Sequence, residues 1–540
     1  MASSEWTRRI TLGHADRALI ETALRRGASR REILGWLSAG GMTLASGTAI
    51  IGSIGGALAQ TPRKGGRIKV AGSAISPQDT VDPAKQSYSV DYARCSMFYN
   101  GLTYLDGSLT PQPELAETIE HDKAKVWTFK LRKGVTFHDG KPLTAADVVY
   151  SLNRHKDKAT GSRANALAMQ MEEIKATGPN EVQITLAAAN ADLPVILGTW
   201  HFYIVKEGTT EFKTAVGTGP YKVKEFTPGI RTIGVRNDGY WKPGRPYLDE
   251  IELIGIPDET ARVNAMISGD VQLIAGINPR SIRLIEGSPG HKVFETKAGY
   301  YTDLIMRQDV DPVKNPDFQM AVKLLQNREE IRSAIFRNFA VVGNDQPIDP
   351  SNRYFCKEIP QRPFDPDKAK FHFQKSGIGN TAVPLYASTA APGSIEMGVL
   401  LQEAAQKIGL NIDLRKVPPE GYWSNIWIKQ PFAYGAINPR PSADILLTLF
   451  FKHDAAWNES KWKNDRFEQL LVAARSEADE AKRKQHYCDI QAIIKDHCGL
   501  GIPVFITLLD AHSAKLQGLS PVPLGNMMGN AFAEHVWLAA

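Results

Sequence analysis

The chain has 540 residues, 43% hydrophobic and 23% charged, which at about 100 to 200 residues per domain gives two or three globular domains and excludes a disordered chain, a collagen and a multi-span membrane protein. The net charge of +6 is largely local, because residues 1–60 hold seven arginines and four acids and leave 57 basic against 54 acidic residues in the remainder. No nucleic-acid partner is therefore expected. Four cysteines, Cys95, Cys356, Cys488 and Cys498, are too few for a disulfide scaffold.

Ser29-Arg30-Arg31-Glu32-Ile33-Leu34 places two consecutive arginines before an uncharged stretch from Gly35 to Ala59 that ends Ala57-Leu58-Ala59. A charged region, an apolar region and a small-x-small ending in that order resemble a twin-arginine export signal, with Arg30 and Arg31 as its motif and cleavage after Ala59. The stretch is also long enough to anchor in a bilayer of about 30 Å, but its seven glycines lower its hydrophobicity and favour export. No other segment approaches the roughly 18 apolar residues of a membrane span. The mature protein is expected to be soluble and periplasmic, with its cysteines as structural thiols.

Gly66–Ala71 reads as a first strand and Trp127–Leu131 as another, its Trp127, Phe129 and Leu131 alternating with polar residues. Thr144-Ala145-Ala146-Asp147 opens a helix, with Thr144 as N-cap, Asp147 at the capping-box position and Val148, Val149 and Leu152 on its apolar face. Strands follow at Val182–Leu186, Tyr221–Phe226, Ile251–Ile256 and Tyr301–Met306. Trp423 and Trp427, at i and i+4, predict a helix face packed in the core. Later helices carry Phe467, Leu470, Leu471 and Ala474 on one face and Tyr487, Ile490 and Ile494 on another. Strands and helices without strict alternation indicate mixed α/β and α+β lobes.

Enzyme signatures fail on inspection. There is no His-Glu-x-x-His, Cys-x-x-Cys or Gly-x-Ser-x-Gly. His486, Cys488, His497 and Cys498 are the best metal-like cluster, but on one helix the two pairs stand about 15 Å apart, too far for bonds of about 2.0 to 2.3 Å. His138-Asp139-Gly140 is first a turn signal. Neither a catalytic group, a metal nor a cofactor is expected.

Three stretches together resemble the family 5 extracellular solute-binding proteins, the peptide, nickel and opine group that serves ATP-binding-cassette (ABC) importers. The first is Tyr99-Asn100-Gly101-Leu102-Thr103-Tyr104-Leu105-Asp106 followed by Trp127 through Ser151, with Phe137-His138-Asp139-Gly140-Lys141-Pro142 at its centre. The second is Gly217-Thr218-Gly219-Pro220-Tyr221 leading to Asn237-Asp238-Gly239-Tyr240-Trp241-Lys242 and Ile267-Ser268-Gly269-Asp270-Val271. The third runs from Asp365-Pro366-Asp367-Lys368-Ala369-Lys370 to Asn464-Asp465-Arg466-Phe467 and Arg483-Lys484-Gln485-His486-Tyr487. Physically these are packing and turn devices, in which Gly140 and Gly219 are read as permitting tight turns.

The resemblance implies a bilobed periplasmic-binding-protein fold of type II, cluster C-like, with a hinge and an extra domain. Residues 1–59 would be the signal; 60–97, 198–300 and 511–540 lobe I; 98–197 the extra domain; and 301–510 lobe II. It implies a monomer that captures a peptide or peptide-like solute and works with an inner-membrane permease and ATPase. The alternatives are a receptor for an opine, an oligosaccharide or a metal chelate, or a secreted hydrolase.

In peptide-binding members an acidic residue three positions after an aromatic pairs with the ligand's α-ammonium. The corresponding stretch here, Tyr434-Gly435-Ala436-Ile437-Asn438-Pro439-Arg440-Pro441-Ser442-Ala443-Asp444, puts Ile437 in that place, and an isoleucine cannot offset the desolvation of an ammonium. Either Asp444 or Asp345 takes the role, or the ligand has no free amine. Arg440 suits a carboxylate or phosphate. By family position the remaining cleft candidates are Tyr88, Trp200, His201 and Asn344; for Asp444, which opens an apolar run, N-capping is an equal reading.

Overall fold

The structure is a computed structural model that describes residues 61–539 apart from Tyr88, Pro419 and Glu420. The expected signal with Arg30, Arg31 and Ala59, and the candidate Tyr88, lie outside the described residues.

Two long antiparallel strands, His291–Met306 and Val504–Ser513, organise the molecule. In its first half His291–Met306 alternates between exposed and buried residues, whereas Tyr301–Met306 is buried throughout, the pattern of a strand covered on both faces. That continuous apolar run is all the sequence discloses; the strand begins ten residues earlier than Tyr301–Met306 alone suggests. Its pairing with Val504–Ser513 shifts register between Thr296 and Tyr300, and there the strand passes from one sheet to the other.

The first sheet continues from Val504–Ser513 through Leu273–Ile274, Arg67–Gly72, Glu250–Gly255, Arg231–Arg236 and Tyr221–Thr227. Arg67–Gly72 lies parallel to Glu250–Gly255, with Val70 opposite Leu253. In the second sheet Tyr301–Met306 pairs antiparallel with Phe432–Ile437, so that Tyr301 faces Ile437. Val383–Ala387 and Ile412–Lys416 then add in parallel register. Each lobe has its own core, Val70, Phe98, Tyr221 and Leu253 in the first, Leu304, Phe318, Leu385 and Phe432 in the second.

A separate four-stranded antiparallel sheet is formed by Ala116–Asp122, Val126–Leu131, Glu181–Leu186 and Met171–Gly178, in that spatial order. Phe129, Leu131, Val182 and Ile184 line its core together with Val148 and Leu152. The latter come from the helix Ala145–Arg154, whose start is a complete capping box: the Thr144 N–H and hydroxyl both donate to Asp147 Oδ2, at 2.8 and 2.7 Å. This unit also meets the second lobe. Ile445 enters its core, the Ala191 N–H donates to Arg475 O at 2.9 Å, and Arg483 Nη2 lies 2.6 Å from Asp192 Oδ1.

Gly140 has φ 83° and makes the expected turn. Gly219 also lies in a bend, at 218–220, but not at positive φ. A Cβ there would instead lie 2.6 Å from both Phe98 O and Tyr99 N, backbone atoms that no rotamer change can move. Gly219→Ala is therefore expected to destabilise the protein by about 3 kcal/mol, measurable as a lowered urea midpoint; an unchanged midpoint would show that this approach is not tight.

The cysteines depart from the expectation that all are thiols. Cys356 and Cys488 form a disulfide with Cα atoms 5.0 Å apart, tying the loop after Tyr354 to the helix Glu480–His497. A pairing across 132 residues has no local signal, which is why the sequence leaves it open. Cys95 and Cys498 are buried thiols.

Candidate functional site

Among the described residues a cavity of about 920 Å³ has walls from three units. One wall is Lys85, Gln86 and Tyr92, which follow the strand Arg67–Gly72, with Thr199–His201; the four-stranded unit supplies Ala159–Gly161, Arg163 and Ala164; Arg440, Pro441, Ile445 and Trp457 follow the strand Phe432–Ile437 of the second sheet. A smaller cavity of about 280 Å³ adjoins it through Arg440 and Trp457 and is lined also by Trp423, Trp427, Ile437, Asn438 and Phe450.

Aromatic groups form both walls. Tyr92 stacks on Trp200 at a centroid distance of 4.6 Å and meets the His201 ring edge-on at 5.5 Å. Trp200 is fixed by its indole N–H, which donates to Gly529 O at 2.9 Å, while its carbonyl accepts from Gln86 Nε2 at 2.9 Å. Across the cavity Trp457 packs on Phe450 at 5.3 Å and approaches Trp427 at 6.5 Å. Trp423 and Trp427 are thus not a buried helix face. The helix Tyr422–Asn425 is a single turn, so i,i+4 spacing does not place both rings inward, and Trp423 is 42% exposed.

Arg440 joins the two cavities. Its Cζ lies 5.3 Å from the Phe450 ring centre, its Nε is buried without a hydrogen-bond partner, and among the described residues no carboxylate lies within ion-pair distance of it. Burial disfavours its charged form, but a guanidinium stays protonated at neutral pH. His201 is held below its ordinary pKa, first by burial and also by the nearby Arg163. It is therefore neutral, and its contact of 3.3 Å to Gln86 O requires the proton on Nε2, since a carbonyl only accepts.

The remaining sequence candidates lie elsewhere. Asp345 is fully buried and sits between Arg328 Nη2 at 2.7 Å and Arg362 Nε at 2.8 Å. Asn344 Oδ1 accepts from the Arg362 N–H at 2.9 Å and its Nδ2 donates to Pro360 O at 3.1 Å. Asp444 pairs with Arg475 at 3.0 Å, and the N-cap of its helix Ala443–Phe450 is Ser442, whose hydroxyl accepts from the Ile445 N–H at 3.1 Å. None of the three lines either cavity. Sequence reasoning overlooked Tyr92, Arg163 and Trp457. Only Trp457 leaves a trace there, as a large aromatic in a polar loop, where exposure has no packing rationale.

A further cavity of about 560 Å³ lies beside the crossing strands, at Tyr300 and Ile506–Leu509. Its Arg280 already faces Glu396 at 3.8 Å, and it lacks the stacked aromatic walls, so the larger cavity is the candidate site.

The sequence profile of bacterial extracellular solute-binding proteins, family 5, matches residues 110–453. The dipeptide-binding protein of Escherichia coli K12 is 25% identical over 470 residues, 79% of this chain and 87% of that protein. Two solved structures share the fold: DppA of Helicobacter pylori with the peptide STSA, at a TM-score of 0.72, 23% identity and coverage of 88% of this chain and 99% of that one; and AgaA of A. tumefaciens R10 with agropinic acid, at 0.71, 22%, 88% and 99%. Fold, cleft and profile agree: the chain belongs to family 5 of the bacterial extracellular solute-binding proteins, the binding subunits of ABC importers.

Proposed function

We propose that this protein is a periplasmic receptor that captures a peptide or peptide-like solute in the cleft between its lobes and hands it, chemically unaltered, to an inner-membrane permease driven by an ATPase. The observation that carries this is the cavity of about 920 Å³ walled by both lobes and by the four-stranded unit. A ligand there touches all three only when they close together, so it stabilises the closed state by its differential affinity. The proposed hinge is where His291–Met306 passes between sheets beside Val504–Ser513, near Thr296–Tyr300 and Ile506. This accords with a division into lobe I (60–97, 198–300, 511–540), extra domain (98–197) and lobe II (301–510). Export with cleavage after Ala59 and action as a monomer complete the proposal; no helix among the described residues is long and apolar enough to cross a membrane.

In this reading Trp200, His201, Arg440, Tyr92 and Trp457 contact the solute. Trp457 is the cleanest probe, being 42% exposed. Trp457→Ala is expected to weaken binding by about 2 kcal/mol, roughly 30-fold, and to cost the unliganded protein no more than about 1.5 kcal/mol, the worth of its stacking on Phe450. Calorimetry with a mixed di- to tetrapeptide pool, with scattering to follow closure and mass spectrometry of the recovered ligand, tests the whole. A ligand recovered cleaved, or no compaction and no heat with any solute pool, would remove the receptor reading.

A further inference from the structure

The solute's charge can be read from how this cleft differs from the rest of the protein. Elsewhere, most poorly exposed arginines are matched to carboxylates: Arg94 to Asp79 at 3.0 Å, Arg328 and Arg362 to Asp345 at 2.7 and 2.8 Å, Arg475 to Asp444 at 3.0 Å, and Arg483 to Asp192 at 2.6 Å; buried Arg262 is matched instead to the carbonyls of Ile256, Pro257 and Gly276. In the cleft neither kind of partner reaches Arg440, which has no hydrogen bond or ion pair among the described residues. Lys85, Arg163 and Arg440 all line the cleft, and among the described residues none of the three lies within ion-pair distance of an acid. No aspartate or glutamate lines either of the two joined cavities.

The acids behind the walls are already engaged. Asp91 pairs with Arg94 and Asp444 with Arg475. Glu459 accepts the Trp427 indole N–H and, like Asp303, is closed off from solvent. The floor beside Arg440 is Ala436, Ile437 and Asn438, which offers nothing ionised to a cation.

A half-buried guanidinium without a carboxylate is an unmet charge that a ligand oxyanion would satisfy bidentately. An ammonium placed in the same cleft would lose its hydration, meet no acid, and face three like charges. We infer that the cleft is built for a net-anionic, peptide-like solute that has no free ammonium group, with its carboxylate on Arg440 and an apolar or aromatic portion against Trp427, Phe450 and Trp457. Lys85 and Arg163, both exposed, supply attraction at the mouth that accelerates capture. This inference rests on the receptor reading above and narrows it.

The test uses the purified protein and one tripeptide pool in four forms: unmodified, N-acetylated, C-amidated, and blocked at both ends. By calorimetry the N-acetylated acids are expected to bind about tenfold more tightly than the unmodified pool, and amidation to remove that binding. Arg440→Gln should weaken binding of the N-acetylated acids by about tenfold or more. The double substitution Lys85→Gln with Arg163→Gln, at exposed positions without ion-pair partners among the described residues, should slow association and flatten its dependence on salt. Preference for the unmodified pool would overturn the inference while leaving a peptide receptor standing, as would N-acetylated binding that ignores all three substitutions. If no form binds and a neutral sugar pool or a metal chelate does, the peptide reading and the inference fall together.

Discussion

Asp345→Asn is expected to destabilise the protein by about 3 to 5 kcal/mol at pH 7, because it removes one partner from a buried ion cluster. Asp345 is fully buried, with Arg328 and Arg362 within 2.8 Å and Lys323 beside them. Burial alone would raise its carboxyl pKa, but Arg328, Lys323 and Arg362 hold it below the usual range. Asparagine retains the shape and loses the charge, leaving two guanidinium groups in a poorly solvated site. Lys323 is already strained by burial: its pKa is lowered to about 8, with Nζ donating to Cys498 O at 2.6 Å and Lys495 O at 3.1 Å. Because the folded pKa of Asp345 is depressed, its contribution is present above the unfolded value and is lost as pH falls. The difference between wild type and variant in urea unfolding should therefore shrink below about pH 4. A loss under 1 kcal/mol at pH 7, or a loss that does not vary with pH, would mean that the charge of Asp345 does not stabilise the cluster.

Glu459→Gln is expected to do the opposite at alkaline pH and to stabilise the fold. Glu459 and Asp303 are 1% and 0% exposed, and the two side chains are hydrogen-bonded to each other. Glu459 is raised well above the ordinary carboxyl pKa, first by burial and then by the charge of Asp303; burial raises Asp303 also. Two acids so close hold at least one proton between them. The folded protein thus keeps a proton that the unfolded chain releases near pH 4, and stability falls as pH rises from there through the folded value. Glutamine keeps the oxygen that accepts the Trp427 indole N–H, still offers Asp303 a donor, and cannot ionise. The substitution should be near neutral at pH 5 and stabilising by about 1 to 3 kcal/mol at pH 8.

The difference between the two proteins is the quantity to measure, since other buried groups shape the wild-type profile. Asp510 and Asp444, each raised to about 6 mainly by burial, act in the same direction as the pair. His155 and His535, lowered by burial to about 3 and about 4, act against it. Urea unfolding at pH 5, 6.5 and 8 decides the matter; a pH-independent difference would show that the two carboxyls do not share a proton.

Much of the scaffold was legible in the sequence because its causes are local. The capping box at Thr144 and Asp147, the alternation through Trp127, Phe129 and Leu131 and the buried faces at Phe467–Ala474 and Tyr487–Ile494 each follow from side chains within a turn or two of one another. The motif residues marked the family for the same reason. Even so, the reason for glycine at 219 was not legible, since its need for a bare Cα comes from Phe98 and Tyr99, over a hundred positions away.

The site was legible only in part. Trp200, His201 and Arg440 line one cavity, while Asp345, in a loop rich in turn residues, is the centre of a buried ion cluster. Nothing local separates an aspartate facing a cleft from one facing two arginines, because the partners arrive from distant segments: Arg483 reaches Asp192 and Cys488 reaches Cys356 only once the domains have packed. The sequence by itself determined the strands, the helices and the family. Tertiary structure decided which charges are cancelled and which, as at Arg440, are left open, because charge pairing is a property of neighbours in space and of the solvent they exclude.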